Sequence, residues 1–316
     1  MKVIAFVGMP GAGKSEASTV AREMGMPVIV MGDVLREEVR ERGLPPTDEN
    51  IGGVANQLRK DEGMDAIAKR CIPKIEALKA RVVVVDGIRG IAEVGTFRKA
   101  FGEDFSLVKI DAPFELRLER LQRRARSDDT GTADWLKQRD ERELSWGMGK
   151  AIDVAEKSVV NLEPIEKFQA EIKSILRRDG IVTTISVLLM PTEVEERVRK
   201  AVENVFPGAR LTLIKKEGFV DQLAGTAPSL DTMHELLRRQ QILDTARNSF
   251  YKGIEGKEIS FQLNKQAALM GYVNFLDHPM ALGGIDVTIG TDEPELIIDW
   301  LAPYTAEGQP VREISL

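Results

Sequence analysis

The chain has 316 residues, 43% hydrophobic and 30% charged, proportions that exclude a disordered or membrane-dominated protein; at about 150 residues per domain it holds two domains. Lys and Arg number 44 against 50 Asp and Glu, a net charge of −6 that excludes a generally basic nucleic-acid binder. One cysteine, Cys71, and two histidines, His234 and His278, exclude a disulfide framework and a Cys/His zinc site; Cys71 reads as an ordinary helix residue.

The opening MKVIAFVG is an apolar strand, too short to span a membrane and unlike a cleaved signal peptide, so a cytoplasmic protein without membrane contact is expected. Apolar runs at 3–8, 27–32, 82–87 and 106–112 alternate with helical patterns at Lys14–Met24, Val34–Glu41, Asp61–Lys79 and Phe114–Ala125. This is the spacing of an α/β, doubly wound parallel sheet. The run Val82–Val85, apolar at every position, suits a central strand covered on both faces. A helix at Ile165–Arg178 ends before Asp179-Gly180, a C-terminal stop that sets the boundary between domains 1–179 and 180–316.

Past the boundary the pattern predicts a strand at 183–190, a helix at Thr192–Val205 and a strand at Arg210–Lys215. A helix at Leu230–Tyr251, strands at 257–263 and 284–289 and a short helix from near Asp292 follow. Polar and apolar residues alternate in Ile259-Ser260-Phe261-Gln262-Leu263, which points to a smaller α+β domain whose sheet has one covered face. The charge is uneven. The second part holds 13 Lys/Arg against 19 Asp/Glu, the first 31 of each.

Between the first strand and first helix stands Gly8-Met9-Pro10-Gly11-Ala12-Gly13-Lys14-Ser15, the pattern G-x-x-x-x-G-K-[ST] in the context its mechanism requires. Glycines let backbone amides approach phosphate oxygens, and the following helix N-terminus adds positive potential there. The expected ligand is ATP with Mg²⁺: Lys14 reaches the β- and γ-phosphates, and the Ser15 hydroxyl binds the metal. Asp86, ending the strand VVVVDG, supplies a second carboxylate toward Mg²⁺, although Asp-Gly is also a turn signal. Gly87 stands where many hydrolytic ATPases carry a glutamate, and no N-K-x-D guanine-reading motif occurs. Phosphoryl transfer is thereby favoured over a motor or a switch.

These residues carry a resemblance to P-loop small-molecule kinases, especially adenylate kinases and dephospho-coenzyme-A kinases. Met31-Gly32-Asp33-Val34-Leu35-Arg36 resembles the acceptor-holding segment of adenylate kinases, which implies that Arg36 binds an acceptor phosphate. Asp86-Gly87-Ile88-Arg89 resembles their D-G-x-x-R segment, one residue shorter here, and implies the same role for Arg89. Glu156-Lys157-Ser158-Val159-Val160-Asn161 resembles the final strand and asparagine that border adenine in dephospho-coenzyme-A-kinase-like proteins, which implies ATP rather than GTP. The whole chain resembles an archaeal P-loop kinase-like family fused to a second archaeal domain, itself similar to an RNA-binding ribosomal-protein-like fold.

Arg117, Arg120 and Arg124 share one helix face by i, i+3 and i+4 spacing. With Arg123, Arg126, Arg139 and Arg142 they resemble the short lid of these kinases, and Arg120 and Arg124 are the expected catalytic cations beside Lys14. Asp33 has two readings. It caps the helix from Val34, or, for a hydroxyl acceptor, it serves as general base. With a phosphate acceptor no base is needed, and Arg36 and Arg89 carry the binding. Arg59, within the segment 43–70, is assigned to the acceptor by position alone. The expected function is therefore a kinase acting on a nucleotide-like acceptor. The alternative is an RNA-associated ATPase or switch, its second domain carrying a patch from Lys215, Lys216, Arg238, Arg239, Arg247 and Lys252 with Phe250 and Tyr251.

Overall fold

A computed structural model describes residues 1–124, 132–162, 164–215, 220–278, 280–306 and 308–316. The chain divides into two compact units, Met1–Asp179 and Gly180–Leu316.

The first unit is built on a five-stranded parallel sheet of order β2-β3-β1-β4-β5. Its elements are β1 (Lys2–Val7), α1 (Lys14–Glu23), β2 (Val28–Val30), α2 (Met31–Glu41), α3 (Asp48–Glu62), α4 (Ala66–Ala77) and β3 (Val82–Ile88). There follow α5 (Ile91–Phe101), β4 (Phe105–Asp111), α6 (Phe114–Arg124), α7 (Ala133–Ser145), α8 (Met148–Asp153), β5 (Lys157–Val160) and α9 (Ile165–Gly180). Successive side chains of a strand point to opposite faces, and β1 uses both. Val3, Ala5 and Val7 pack into the core formed with α2 to α5 and α8. Ile4 and Phe6 pack with α1 and α9, where Phe168, Ile172 and Leu176 recur at helical spacing. Uninterrupted apolar strands are the consequence of two covered faces, and burial of one such side chain, Phe6, contributes about 1.5–3 kcal/mol. The order places β1 between β3 and β4, so the loop after β1 opens at the carboxyl ends of the strands, where ligands of open α/β sheets bind.

The second unit has a six-stranded sheet of order β7-β8-β6-β11-β10-β9, antiparallel at every pairing. It comprises β6 (Val182–Leu189), α10 (Glu195–Val205), β7 (Arg210–Ile214), β8 (Asp221–Ala227), α11 (Asp231–Arg239) and α12 (Leu243–Lys252). Next come β9 (Ile254–Glu255), β10 (Glu258–Leu263), α13 (Lys265–Leu269), β11 (Ile285–Gly290) and α14 (Pro294–Leu301). One face carries Ile185, Val187, Leu223, Ile259, Phe261, Ile285, Val287 and Ile289 into a core shared with the helices. The other carries hydroxyls and amides that bond across the strands: Ser260 to Thr288 at 3.0 Å, Gln222 to Ser186 at 2.5 Å and Gln262 to Asp286 at 2.6 Å.

The fold class is the expected one, an α/β P-loop unit followed by an α+β unit, while several elements differ from the sequence reading. The stretch expected as one helix over Asp61–Lys79 is the end of α3 and the whole of α4, parted at Gly63, whose φ of 101° is a left-handed conformation no helix interior takes. The helix expected over Leu230–Tyr251 is likewise two. Gln241 takes φ 56°, its N–H donates to Arg238 O and that of Ile242 to Leu237 O, the paired bonds that close a helix by the Schellman geometry. Helix α2 starts at Met31 instead of Val34, and α5 and β8 fall where no element was expected. No helix of the described residues is long and apolar enough to cross a membrane.

Candidate nucleotide site

The phosphate-type loop is held by close approach and by hydrogen bonds from distant elements. A Cβ at Gly8 would lie 2.1 Å from Ile110 O, and one at Gly13, where φ is 116°, 2.0 Å from Asn161 Nδ2, so these positions admit only glycine. Asn161 donates from Nδ2 to Ala12 O at 2.8 Å. Arg117 donates to Pro10 O at 3.0 Å and grips Asp140 of α7 through two bonds of 3.0 and 2.7 Å. Arg120 donates to both Asn161 O and Asn161 Oδ1 at 3.1 Å. No side chain caps α1, which leaves its first amides available to an anion.

Above the loop lies a cavity of about 380 Å³, within the size range of small-molecule sites. Its lining brings together Lys14, Ser15, Arg36, Asp86, Arg89, Arg120 and Arg139 of the residues singled out in the sequence, along with Pro10, Gly11 and Gly13, and adds Glu143 and Met148. Asp86 is 7% exposed at the carboxyl end of β3, in register with Phe6 of β1 and Val30 of β2. The Lys14 ammonium donates to Gly8 O at 2.6 Å and Met9 O at 3.2 Å. Burial pulls its pKa below the ordinary lysine value, Glu143 and Asp86 oppose that shift, and Arg89 and Arg139 add to it.

Arg89 is fixed at both ends. Its backbone N–H donates to Glu93 Oε2 at 2.7 Å, and its guanidinium pairs with Glu143 Oε1 at 2.7 Å. Glu93, 1% exposed, has its pKa raised by burial, against the pull of the Arg89 and Gly90 amides and of Arg59. Arg139 of α7 stands 3.7 Å from Glu143 and over the Trp135 ring at 5.1 Å.

Other expected site residues stand elsewhere. Asp33 is no helix cap: α2 begins three residues earlier with Val30 at its cap position, so Asp33 sits in the first turn and forms an ion pair with Arg36, both partly exposed. Of that pair, Arg36 lines the cavity. Arg59 is 8% exposed, set against Glu93 at 3.8 Å and the Trp146 ring at 4.7 Å, and is not part of the lining. Arg123 pairs with Glu119 in solvent. The side chain of Arg124, and Arg126 and Lys216 entirely, lie outside the described residues.

Glu143 escaped the sequence reading. The signal was present in α7, where Leu136, Asp140 and Glu143 recur at i, i+4 and i+7 and all are covered. Two acids on the inward stripe of a helix call for cations opposite them.

For Mg²⁺ the fit is by donor chemistry. Among the described residues no group of three or more His, Cys, Asp or Glu is placed to hold a metal, so an all-protein cage is absent there. Ser15 and Asp86 together on the cavity wall suit an ion that takes one or two protein oxygens and completes its shell with phosphate and water.

In the second unit several members of the expected basic patch are engaged within the fold, Lys252 with Asp277 among them. Arg238 is spent on Glu313, Leu301 O and Trp300 O, and Arg247 is buried on Ala302 O beneath the Tyr304 ring at 3.6 Å. Phe250 is fully buried. A cavity of about 540 Å³ instead lies among α10, α11 and α13, lined by Asn204, Glu235, Arg239 and Met270.

Comparison with known proteins assigns the chain. It is 51% identical over 320 residues, 99% of this chain and 98% of the other, to the UPF0200/UPF0201 protein of Archaeoglobus fulgidus. The chain belongs to the UPF0200/UPF0201 family. An AAA domain family matches residues 7–137, and a family described as RNA binding matches residues 183–291. The first part of the chain is also matched by separate proteins. The UPF0200 protein of Methanosarcina mazei is 56% identical over 176 residues, 56% of this chain and 94% of its own. The crystal structure of the UPF0201 protein from Methanococcus jannaschii is 40% identical, covers 42% of this chain and 99% of its own, and has a TM-score of 0.39. The first unit is a kinase-like, nucleotide-binding P-loop domain.

Proposed function

We propose that the first unit transfers the γ-phosphoryl group of MgATP to a nucleotide-like acceptor that itself carries a phosphate. The observation that carries this reading is the cavity wall, where Lys14 and Asp86 stand with four arginines, Arg36, Arg89, Arg120 and Arg139. Phosphoryl transfer is mostly positioning and neutralisation of charge on the moving group, and this is far more cation than binding ATP alone demands.

The bond between the γ-phosphorus and the β,γ-bridging oxygen breaks, one to an acceptor oxygen forms, and ADP leaves. Amides of Gly8–Ser15 cradle the phosphates, and Lys14 swings from the loop carbonyls to the β- and γ-oxygens. Ser15 and Asp86 would hold Mg²⁺, which when bound would supply positive charge against the phosphates. Arg120 and Arg139 meet the transferred group, with Arg124 as a further lid cation. Arg36 and Arg89 hold the acceptor phosphate, and Arg89, which shares Glu143 with Arg139, also faces the transferred group from the acceptor side. The pairing of Asp33 with Arg36 supports an acceptor phosphate over a hydroxyl that needs Asp33 as base, and the buried position of Arg59 makes it a support for Glu93 and Arg89.

The test is phosphoryl transfer from labelled ATP with Mg²⁺ to nucleoside monophosphates, nucleosides and dephospho-coenzyme A, each against Lys14→Ala. A phosphorylated product lost by at least about a hundredfold in the variant is expected; turnover at the wild-type rate in Lys14→Ala would sink the assignment. Slow hydrolysis with every acceptor would favour an RNA-linked ATPase. That second reading rests on the RNA-binding match over 183–291 and on the cavity of the second unit, which Arg239 lines together with Met270, 72% exposed.

A further inference from the structure

Glu143 takes no part in the transfer just described, yet it is the most deeply covered carboxylate of the cavity, 3% exposed. Its oxygen Oε1 lies 2.7 Å from Arg89 and 3.7 Å from Arg139, and it is the largest favourable charge acting on the Lys14 ammonium. Two of the cations that face a γ-phosphate, Arg89 and Arg139, are thus gathered on one internal carboxylate that also acts on Lys14.

We infer that Glu143 is the specificity-determining residue by which the cavity distinguishes a nucleoside triphosphate from a diphosphate, an inference that rests on reading the cavity as the MgATP site. The α- and β-phosphates are met by backbone amides of the loop and the α1 N-terminus, groups Glu143 does not touch. Only the third phosphate extends past Lys14 toward Arg89 and Arg139, and there it competes with Glu143 for the same donors. A negative charge a few ångströms from these cations, screened from water, weakens what they offer to a second anion. Glu143 is accordingly a positioning residue. It holds Arg89, after β3, and Arg139, on α7, against the wall until a γ-phosphate takes them, so the two segments respond to ATP and not to ADP.

Competition and plain structural support predict opposite signs. If Glu143 competes, Glu143→Gln tightens binding of the β,γ-imido analogue of ATP by about tenfold and leaves MgADP within about twofold, read by titration calorimetry on the full chain. Glu143→Asp, which keeps the charge, retains most of the wild-type ratio. If Glu143 only anchors α7, Glu143→Gln weakens both nucleotides together, and that result, or an unchanged ratio, overturns the inference. A second readout needs no variant at Glu143. Arg139 covers the Trp135 ring, so the triphosphate analogue should change tryptophan emission in the wild-type chain, ADP should not, and Trp135→Phe should abolish the difference. Equal responses to ATP analogue and ADP overturn the inference while the nucleotide site stands. Wild-type protein that binds neither nucleotide overturns the site itself.

Discussion

His234 is one of two histidines in the chain, and its ring stacks on Trp300 with centroids 4.8 Å apart and planes 19° from parallel. Burial lowers its pKa below 6.5, Arg238 pushes it further down, and Glu313, Asp231 and Glu235 pull it back. In the window below 6.5 and above the folded value, the unfolded chain binds the proton more readily. Stability therefore falls as pH drops through that window. His234→Phe, which keeps the stack, should lose less stability than the wild type between pH 7.5 and pH 5, read from urea midpoints; parallel losses would remove His234 as the cause. At this scale the sequence singled out residues that the fold brings to the cavity wall. Lys14, Ser15 and Asp86 follow from a motif and a strand end. Arg117 and Asn161 could be suspected as site residues, but not their grip on loop carbonyls 107 and 149 positions away in the chain. Glu143 needed the knowledge that α7 faces the cavity.

Elements were legible where periodicity and breakers agreed. β1, β3 and β4 announce themselves by unbroken apolar runs, and α1 by the motif before it. β8 did not, since Asp-Gln-Leu-Ala-Gly-Thr-Ala has little β-branched content. Its Gly225 is there for proximity: a Cβ would stand 1.6 Å from Arg210 O of β7. α5 was hidden by Gly95 and by a pattern with little polar contrast, because the charged Glu93 shares its buried face with Val94 and Phe97. The break after α11 was hidden by its chemistry, since Gln241 supplies a left-handed residue where Gly is usual. That conformation costs a non-glycine residue about 1–2 kcal/mol. Gln241→Gly should stabilise the protein by about 0.5–1 kcal/mol after the loss from greater unfolded-state freedom; a lower urea midpoint would show that the glutamine side chain earns its place by other contacts.

At the scale of the whole chain, charge and chemistry are divided. The first unit is balanced and concentrates arginine in one cavity, and the second carries the whole net charge of −6. An RNA held by such a unit is held by few ionic contacts. Exposed Arg197, Lys200 and Arg239 are the cations on the α10 and α11 side. Binding of single-stranded RNA to the full chain should therefore show a log K against log salt slope no steeper than about −2, and Arg239→Ala should make it shallower by about 0.7. Absence of a shift at low salt would remove the RNA reading. Two units and their fold classes were legible from the change in strand pattern near residue 180; the strand order was not, because pairing is decided between segments far apart in the chain.

The open face of the second sheet has a consequence for the history of such chains. Its hydroxyls and amides answer one another across the strands, through Ser260 with Thr288, Gln222 with Ser186 and Gln262 with Asp286, and so ask for no covering layer. A unit of this kind tolerates water on that side as readily as a neighbour. A recombination event that joins its gene to another, or severs the two, leaves on that face chiefly these paired polar groups, with Leu188 and Ile214 exposed beside Gln222, so that little there needs repair by later substitutions.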